Sequence, residues 1–269
     1  MSSQFVRNLR APLAAVLTTA MLAVAPSPSS VAHATPPAPS QAGKLAAVPL
    51  ISTDQLRAAR SRSIVFGHQS VGANILDGVR TVYRVADMAP PATLQWANSL
   101  PSRGGWIADA AIGTNGDPSR KIAAFEARLT STTGSPDFAL MKLCYVDITA
   151  GTNVSAVFAK YRRAMSRLRA AHRGTVILHA TVPLTTGSPA DNVKRQQYNR
   201  LIRKTYKSSL IVDIARVEST APSGKRIKAL YRGKRYYAMY AGYTSDGGHL
   251  NEVGAPLVAT ALIKAMARK

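Results

Sequence analysis

The stretch Ser63-Ile64-Val65-Phe66-Gly67-His68-Gln69-Ser70-Val71-Gly72 changes character twice. Ser63 to Phe66 reads as a short strand buried on both faces, because its apolar residues are continuous rather than alternating. The glycine-flanked turn that follows ends the run. From Val71 to Tyr83 the pattern is that of a helix. Strand, turn and helix in this order form the opening unit of an α/β domain.

The remainder repeats that alternation. Thr93 to Ala97 reads as a second strand and Ser119 to Leu129 as a helix, with Pro118 near its start. Phe138 to Tyr145 is the most distinct strand. Val154, Val157, Phe158, Tyr161, Met165 and Leu168 then recur at three- and four-residue steps, the period of one helix face. Gly174 ends that helix. Thr175 to Val182 reads as the next strand, Asp191 to Tyr206 as a helix, Leu210 to Ala215 as a strand and Asn251 to Ala267 as the last helix. Such order predicts a three-layer α/β/α sandwich around a mostly parallel sheet of about five strands. Functional residues in such sheets sit at the carboxyl ends of the strands. Ser219 to Thr244 lacks periodicity and reads as a long loop or hairpin.

The N-terminus reads differently. Arg7 and Arg10 precede an apolar run from Ala11 to Ala25, and Ala32-His33-Ala34 fits a signal-peptidase site. Residues 1–34 are therefore expected to be a signal peptide, 35–52 a Pro/Ala-rich spacer, and 53–269 the folded domain. The chain is then expected outside the cytoplasm, secreted or on the cell envelope. No segment of the mature chain is apolar enough to span a membrane.

Of the 269 residues, 35 are basic and 13 acidic, giving a formal charge of +22. Such charge favours an anionic partner, for example a cell-envelope polymer. No nucleic-acid motif accompanies it, so no specific nucleic-acid partner is expected. Cys144 is the sole cysteine. It lies in the apolar run Phe138 to Ile148, and a buried inert thiol is favoured over a catalytic one. Asp109, Asp117 and Asp147 are too scattered to argue a metal site, so neither metal nor organic cofactor is expected.

Two short stretches carry chemistry. Ser70 stands between a strand and a helix, which puts its hydroxyl at the strand's carboxyl end and its N–H at a helix N-terminus. That suits a nucleophile whose reaction passes through an oxyanion, although an N-cap serine has the same surroundings. Asp246-Gly247-Gly248-His249 precedes the last helix. Its glycines allow the carboxylate to fold back on the imidazole, leaving the other ring nitrogen to accept a proton.

With the serine after the first strand and Asp-x-x-His before the last helix, the chain resembles the SGNH/GDSL hydrolases over roughly residues 60 to 269. The Asp246-to-Gly254 run resembles that family's last block. The resemblance implies Ser70 as nucleophile, His249 as base and Asp246 as its orienter. It also implies an oxyanion hole formed by the N–H groups of Ser70 and Gly113. The sequence departs from the family in two places. Gly67-His68-Gln69-Ser70 replaces Gly-Asp-Ser, and Cys144-Tyr145-Val146-Asp147 stands where Gly-x-Asn-Asp is expected. Asn115 is the candidate to replace the missing asparagine as a donor. His68 and Asp147 are candidate substrate-pocket residues.

The activity implied is hydrolysis of an acyl ester, on a small molecule or an acylated polysaccharide, through an acyl-enzyme. The alternative is a non-catalytic protein on the same fold that binds an envelope glycan or lipid.

Overall fold

A computed structural model describes residues 51–268. The expected signal peptide, and the expected spacer up to residue 50, lie outside the described residues.

Ser52 opens the domain with a capping box. Its hydroxyl accepts the Gln55 N–H, and the Gln55 side chain accepts the Ser52 N–H in return. Helix α1 (Thr53–Arg60) follows, then strand β1 (Ser63–His68) and helix α2 (Val71–Val85). Strands β2 (Ala92–Gln95) and β3 (Trp106–Ala111) precede helix α3 (Pro118–Thr130). Next come β4 (Phe138–Met141), α4 (Val154–Ala171), β5 (Val176–Ala180) and α5 (Pro189–Thr205). The last elements are β6 (Ile211–Val212), α6 (Ile214–Glu218), the strands β7 (Lys228–Tyr231) and β8 (Lys234–Tyr237), and α7 (Gly254–Met266).

Six strands form one sheet in the order β2-β3-β1-β4-β5-β6, and every pairing in it is parallel. The expected sandwich is therefore present, with one strand more than anticipated. The addition is β3, which the sequence pattern did not reveal. Strands β7 and β8 form a separate antiparallel hairpin, within the stretch that lacked periodicity.

Side chains of β1 alternate between two cores. Ile64 and Phe66 join Ile75, Val79, Val258 and Leu262 on the face covered by α2 and α7. Val65 joins Phe125, Phe158, Tyr161 and Ile202 on the face covered by α3, α4 and α5. Burial on both faces explains why β1 and β4 at the centre of the sheet are largely apolar. No helix among the described residues is long and apolar enough to cross a membrane.

Strand β1 is central, with β3 on one side and β4 on the other. The chain leaves β1 toward opposite sides in turn, which opens a crevice at the carboxyl ends of these strands. The turns after β1, β3, β4 and β5 all meet there.

Candidate active site

The turn after β1 holds Ser70 in a conformation that side chains rarely adopt, with φ 43° and ψ −100°. Strain of this kind persists only where surrounding bonds over-determine it. Ser70 heads α2 but makes no side-chain cap bond, so its hydroxyl is not used as an N-cap. The neighbouring Gln69 braces the turn. Its Nε2 donates to the carbonyls of Ile112, at 2.9 Å, and Gly113, at 2.7 Å. The turn after β1 is thereby tied to the turn after β3.

Gly113 is held close to Ser70 by this brace. Its φ is +55°, and a Cβ would stand 2.7 Å from the Lys121 backbone, so no larger residue fits. Neither the Ser70 N–H nor the Gly113 N–H is spent on a backbone carbonyl. Asn115 lies two residues further along, exposed, with its Oδ1 accepting from Lys121 Nζ at 2.6 Å. An ammonium can only donate, so the amide oxygen faces Lys121 and the amide NH2 is left as a donor.

The Asp246–His249 loop closes on itself. Asp246 Oδ2 accepts from His249 Nδ1 at 2.5 Å, while Oδ1 accepts the N–H groups of Gly248, at 2.9 Å, and His249, at 2.8 Å. The imidazole bond and these backbone bonds hold the Asp246 carboxyl well below the usual carboxylate range. With Nδ1 donating to Asp246, Nε2 carries the lone pair. Gly247 has φ +88°, and a Cβ on Gly248 would stand 2.8 Å from the Tyr145 ring. The two glycines therefore let the loop fold back and lie flat against Tyr145. That ring meets His249 edge-on, with centroids 5.6 Å apart.

Tyr145 follows Cys144, whose Sγ lies 3.9 Å from Ser70 Oγ. The turn after β4 thus touches both the serine and the histidine loop. The side-chain contact of the Ser70 hydroxyl is this sulfur, and no hydrogen bond joins Ser70 to His249. Catalytic hydrogen bonds are often long in a free enzyme and tighten when substrate binds.

The two residues expected in a substrate pocket, His68 and Asp147, are both buried. His68 is buried beneath the first turn of α2, where its ring stacks near Phe66 and its Nε2 lies 3.0 Å from Asp109 Oδ2. Burial outweighs the Asp109 bond and lowers the imidazole pKa. Asp147 is 1% exposed. It pairs with buried Lys121 at 2.7 Å and accepts the N–H groups of Cys144, at 2.6 Å, and Gly116, at 2.8 Å. It therefore clamps the turn after β4 to the turn carrying Asn115.

Several residues of the site escaped the sequence reading. Asp109 lies in an alanine-rich stretch with no motif to mark it. Buried Arg195 donates to the Tyr145 carbonyl at 2.9 Å and stands over its ring at 5.7 Å. Lys142 lies in the apolar run after β4, and a lone lysine among buried residues was the signal available.

A cavity of about 660 Å³ opens elsewhere, between α4, α5 and the start of β5. Arg162, Arg163, Arg169, His179 and Tyr206 line it together with apolar residues, and no carboxylate does.

No family model matches the chain. No curated protein matches it either. Solved structures similar in fold include one described as an acylhydrolase from Bacteroides fragilis, at 14% identity and TM-score 0.48, covering 84% of this chain and 93% of that one. A member of the lipolytic protein G-D-S-L family from Veillonella parvula is similar at 13% identity and TM-score 0.43, over 74% and 93% of the two chains. A carbohydrate esterase family 3 protein from Talaromyces cellulolyticus is similar at 13% identity and TM-score 0.43, over 74% and 92%.

Proposed function

We propose that the chain is a serine hydrolase of acyl esters. The observation that carries this reading is the Asp246–His249 pair, bonded at 2.5 Å and folded against Tyr145 in the crevice where Ser70 is held strained and uncapped. A carboxylate on Nδ1 fixes the tautomer and supports the imidazolium that forms when Nε2 takes a proton.

Ser70 Oγ attacks the ester carbonyl as His249 Nε2 removes its proton. The carbonyl oxygen becomes an oxyanion, and the N–H groups of Ser70 and Gly113 and the Asn115 amide are the donors available to it. Asn115 takes the place of the missing family asparagine, with Lys121 turning its amide outward. His249 then protonates the departing alcohol. Water, deprotonated by the same nitrogen, hydrolyses the acyl-enzyme. The residues need no metal or organic cofactor for these steps.

The basic surface and the signal-like N-terminus support an exported enzyme working on an acylated envelope polysaccharide. A second reading, a binding protein on the same fold, is favoured by the absence of a Ser70–His249 hydrogen bond.

Labelling by a fluorophosphonate separates the two. The folded wild type is expected to label and to turn over p-nitrophenyl acetate, while Ser70→Ala and His249→Ala do neither. Folded wild-type protein that neither labels nor hydrolyses the ester leaves the binding reading.

A further inference from the structure

Beneath the Ser70 turn lies a group of polar side chains that the reaction above does not use. Lys142 is fully buried, and its Nζ donates to Cys144 Sγ at 3.2 Å. The same sulfur lies 3.9 Å from Ser70 Oγ, and its S–H donates to the Gln69 carbonyl oxygen at 3.7 Å. Neither buried carboxylate nearby takes the amine. Asp147 bonds Lys121 at 2.7 Å, and Glu218 accepts the Leu184 N–H at 2.7 Å through one oxygen while its other oxygen has no partner. The sulfur is thus the side-chain acceptor that holds the Lys142 amine.

Burying an amine is costly unless its bonds are made, and an apolar side chain of similar volume fills such a place at lower cost. Packing alone therefore does not account for a lysine here. The row Lys142–Cys144–Ser70 ends on the atom that must attack.

We propose that Lys142 and Cys144 are positioning residues for Ser70, the amine fixing the sulfur and the sulfur fixing the serine oxygen. This rests on the serine-hydrolase reading. The amine donates an N–H to the sulfur, which turns the S–H toward the Ser70 turn. When the Ser70 hydroxyl donates to His249, its oxygen lone pair can receive the S–H, which turns to it from the Gln69 carbonyl of the same turn. The nucleophile is then held from two sides, and its χ1 is set before substrate arrives. No bond is made or broken at the sulfur, and no charge leaves the pair.

The groups facing Lys142 come from several elements. They are His68 on β1, Lys121 on α3, Asp147 and Cys144 after β4, and Glu218 on α6. A pH profile therefore reads the whole cluster, and the decisive measurements are kcat against KM and the rate of fluorophosphonate labelling.

The experiment compares full-length wild type with Cys144→Ala, Cys144→Ser, Lys142→Met and the double variant. Cys144→Ala should lower kcat and the labelling rate about ten- to a hundred-fold with KM unchanged, the scale of a misplaced nucleophile. Cys144→Ser keeps a donor and an acceptor and should restore most of the loss. Lys142→Met should match Cys144→Ala, and the double variant should be no worse than either. Should Lys142→Met fail to fold, the two Cys144 variants decide the matter alone. A Cys144→Ala protein with wild-type kcat, labelling rate and pH profile, whatever its melting temperature, overturns the proposal. It does so while the hydrolase reading stands. If folded wild type neither labels nor turns over, both fall together.

Discussion

Asp246 is the residue whose role is most open to a clean substitution. It is largely exposed, yet it accepts one imidazole bond, two backbone bonds and the Thr244 hydroxyl. Asparagine keeps a carbonyl for the two N–H groups and replaces the second oxygen with an amide NH2. That group cannot accept from Nδ1, so the imidazole is driven to the tautomer that carries its proton on Nε2. Asp246→Asn is expected to lower kcat by roughly a thousand-fold or more, with little change in melting temperature. Steady-state kinetics beside a thermal melt test this. A variant with near-normal kcat removes Asp246 from the mechanism. At this scale the sequence was informative where chemistry is local. Asp246 and His249 are three residues apart, and their glycines announce a folded-back loop. Ser70 was visible from its place between strand and helix. Lys142, Asp109 and Gln69 were not, because each acts on a residue brought near only by the sheet.

Among the elements, β3 was the one the sequence hid. Trp106–Ala111 is rich in alanine and contains Asp109, whereas strands are ordinarily marked by β-branched and aromatic residues. It is a strand because β1 and β2 flank it, and Asp109 is tolerated because it meets His68. Strand β4 stops at Met141, short of the expected Tyr145, and β6 departs as well. Leu210 to Ala215 reads as one strand, but Asp213 accepts the Arg216 N–H and starts α6 after Val212. The layer of β5, α4 and α5 carries a prediction of its own. His179 on β5 is buried, bonded through Nδ1 to the Tyr161 hydroxyl at 2.9 Å, and stacked on Tyr206 at 3.4 Å. Burial, helped by Arg169, lowers its pKa to about 3. The imidazole stays neutral in the fold, whereas the unfolded chain takes a proton below its ordinary value of 6.5. Its contribution to stability is therefore complete above pH 6.5 and is lost as pH falls toward 3. Between pH 7 and pH 5 this amounts to roughly 2 kcal/mol. Urea unfolding at both pH values should show that loss in wild type and a smaller one in His179→Leu. Equal losses in the two proteins would remove His179 as the cause.

The whole molecule has one property that no element explains, its excess of positive charge. A charge of +22 repels itself and lowers stability unless something anionic is near. Some basic residues have local duties. Arg203 pairs with Asp213 and Arg167 with Glu126. Arg162, Arg163 and Arg169 instead border a cavity with no carboxylate in its wall. Attraction spread over such a surface is long-ranged at low salt, where the screening length is about 10 Å at 0.1 M, and nearly absent at 1 M, where it is about 3 Å. If the substrate is carried on an anionic polymer, this charge holds the enzyme to it while the crevice at Ser70 acts on single esters. The two functions then separate by substitution. The triple variant Arg162→Glu, Arg163→Glu, Arg169→Glu should leave a polyanionic matrix at clearly lower salt than wild type. Its kcat and KM on soluble p-nitrophenyl acetate should be unchanged, because the cavity lies away from the residues of the site. Elution at the wild-type salt concentration would show that these arginines do not carry the attraction. A loss of soluble-ester activity would show that the cavity and the crevice are not independent.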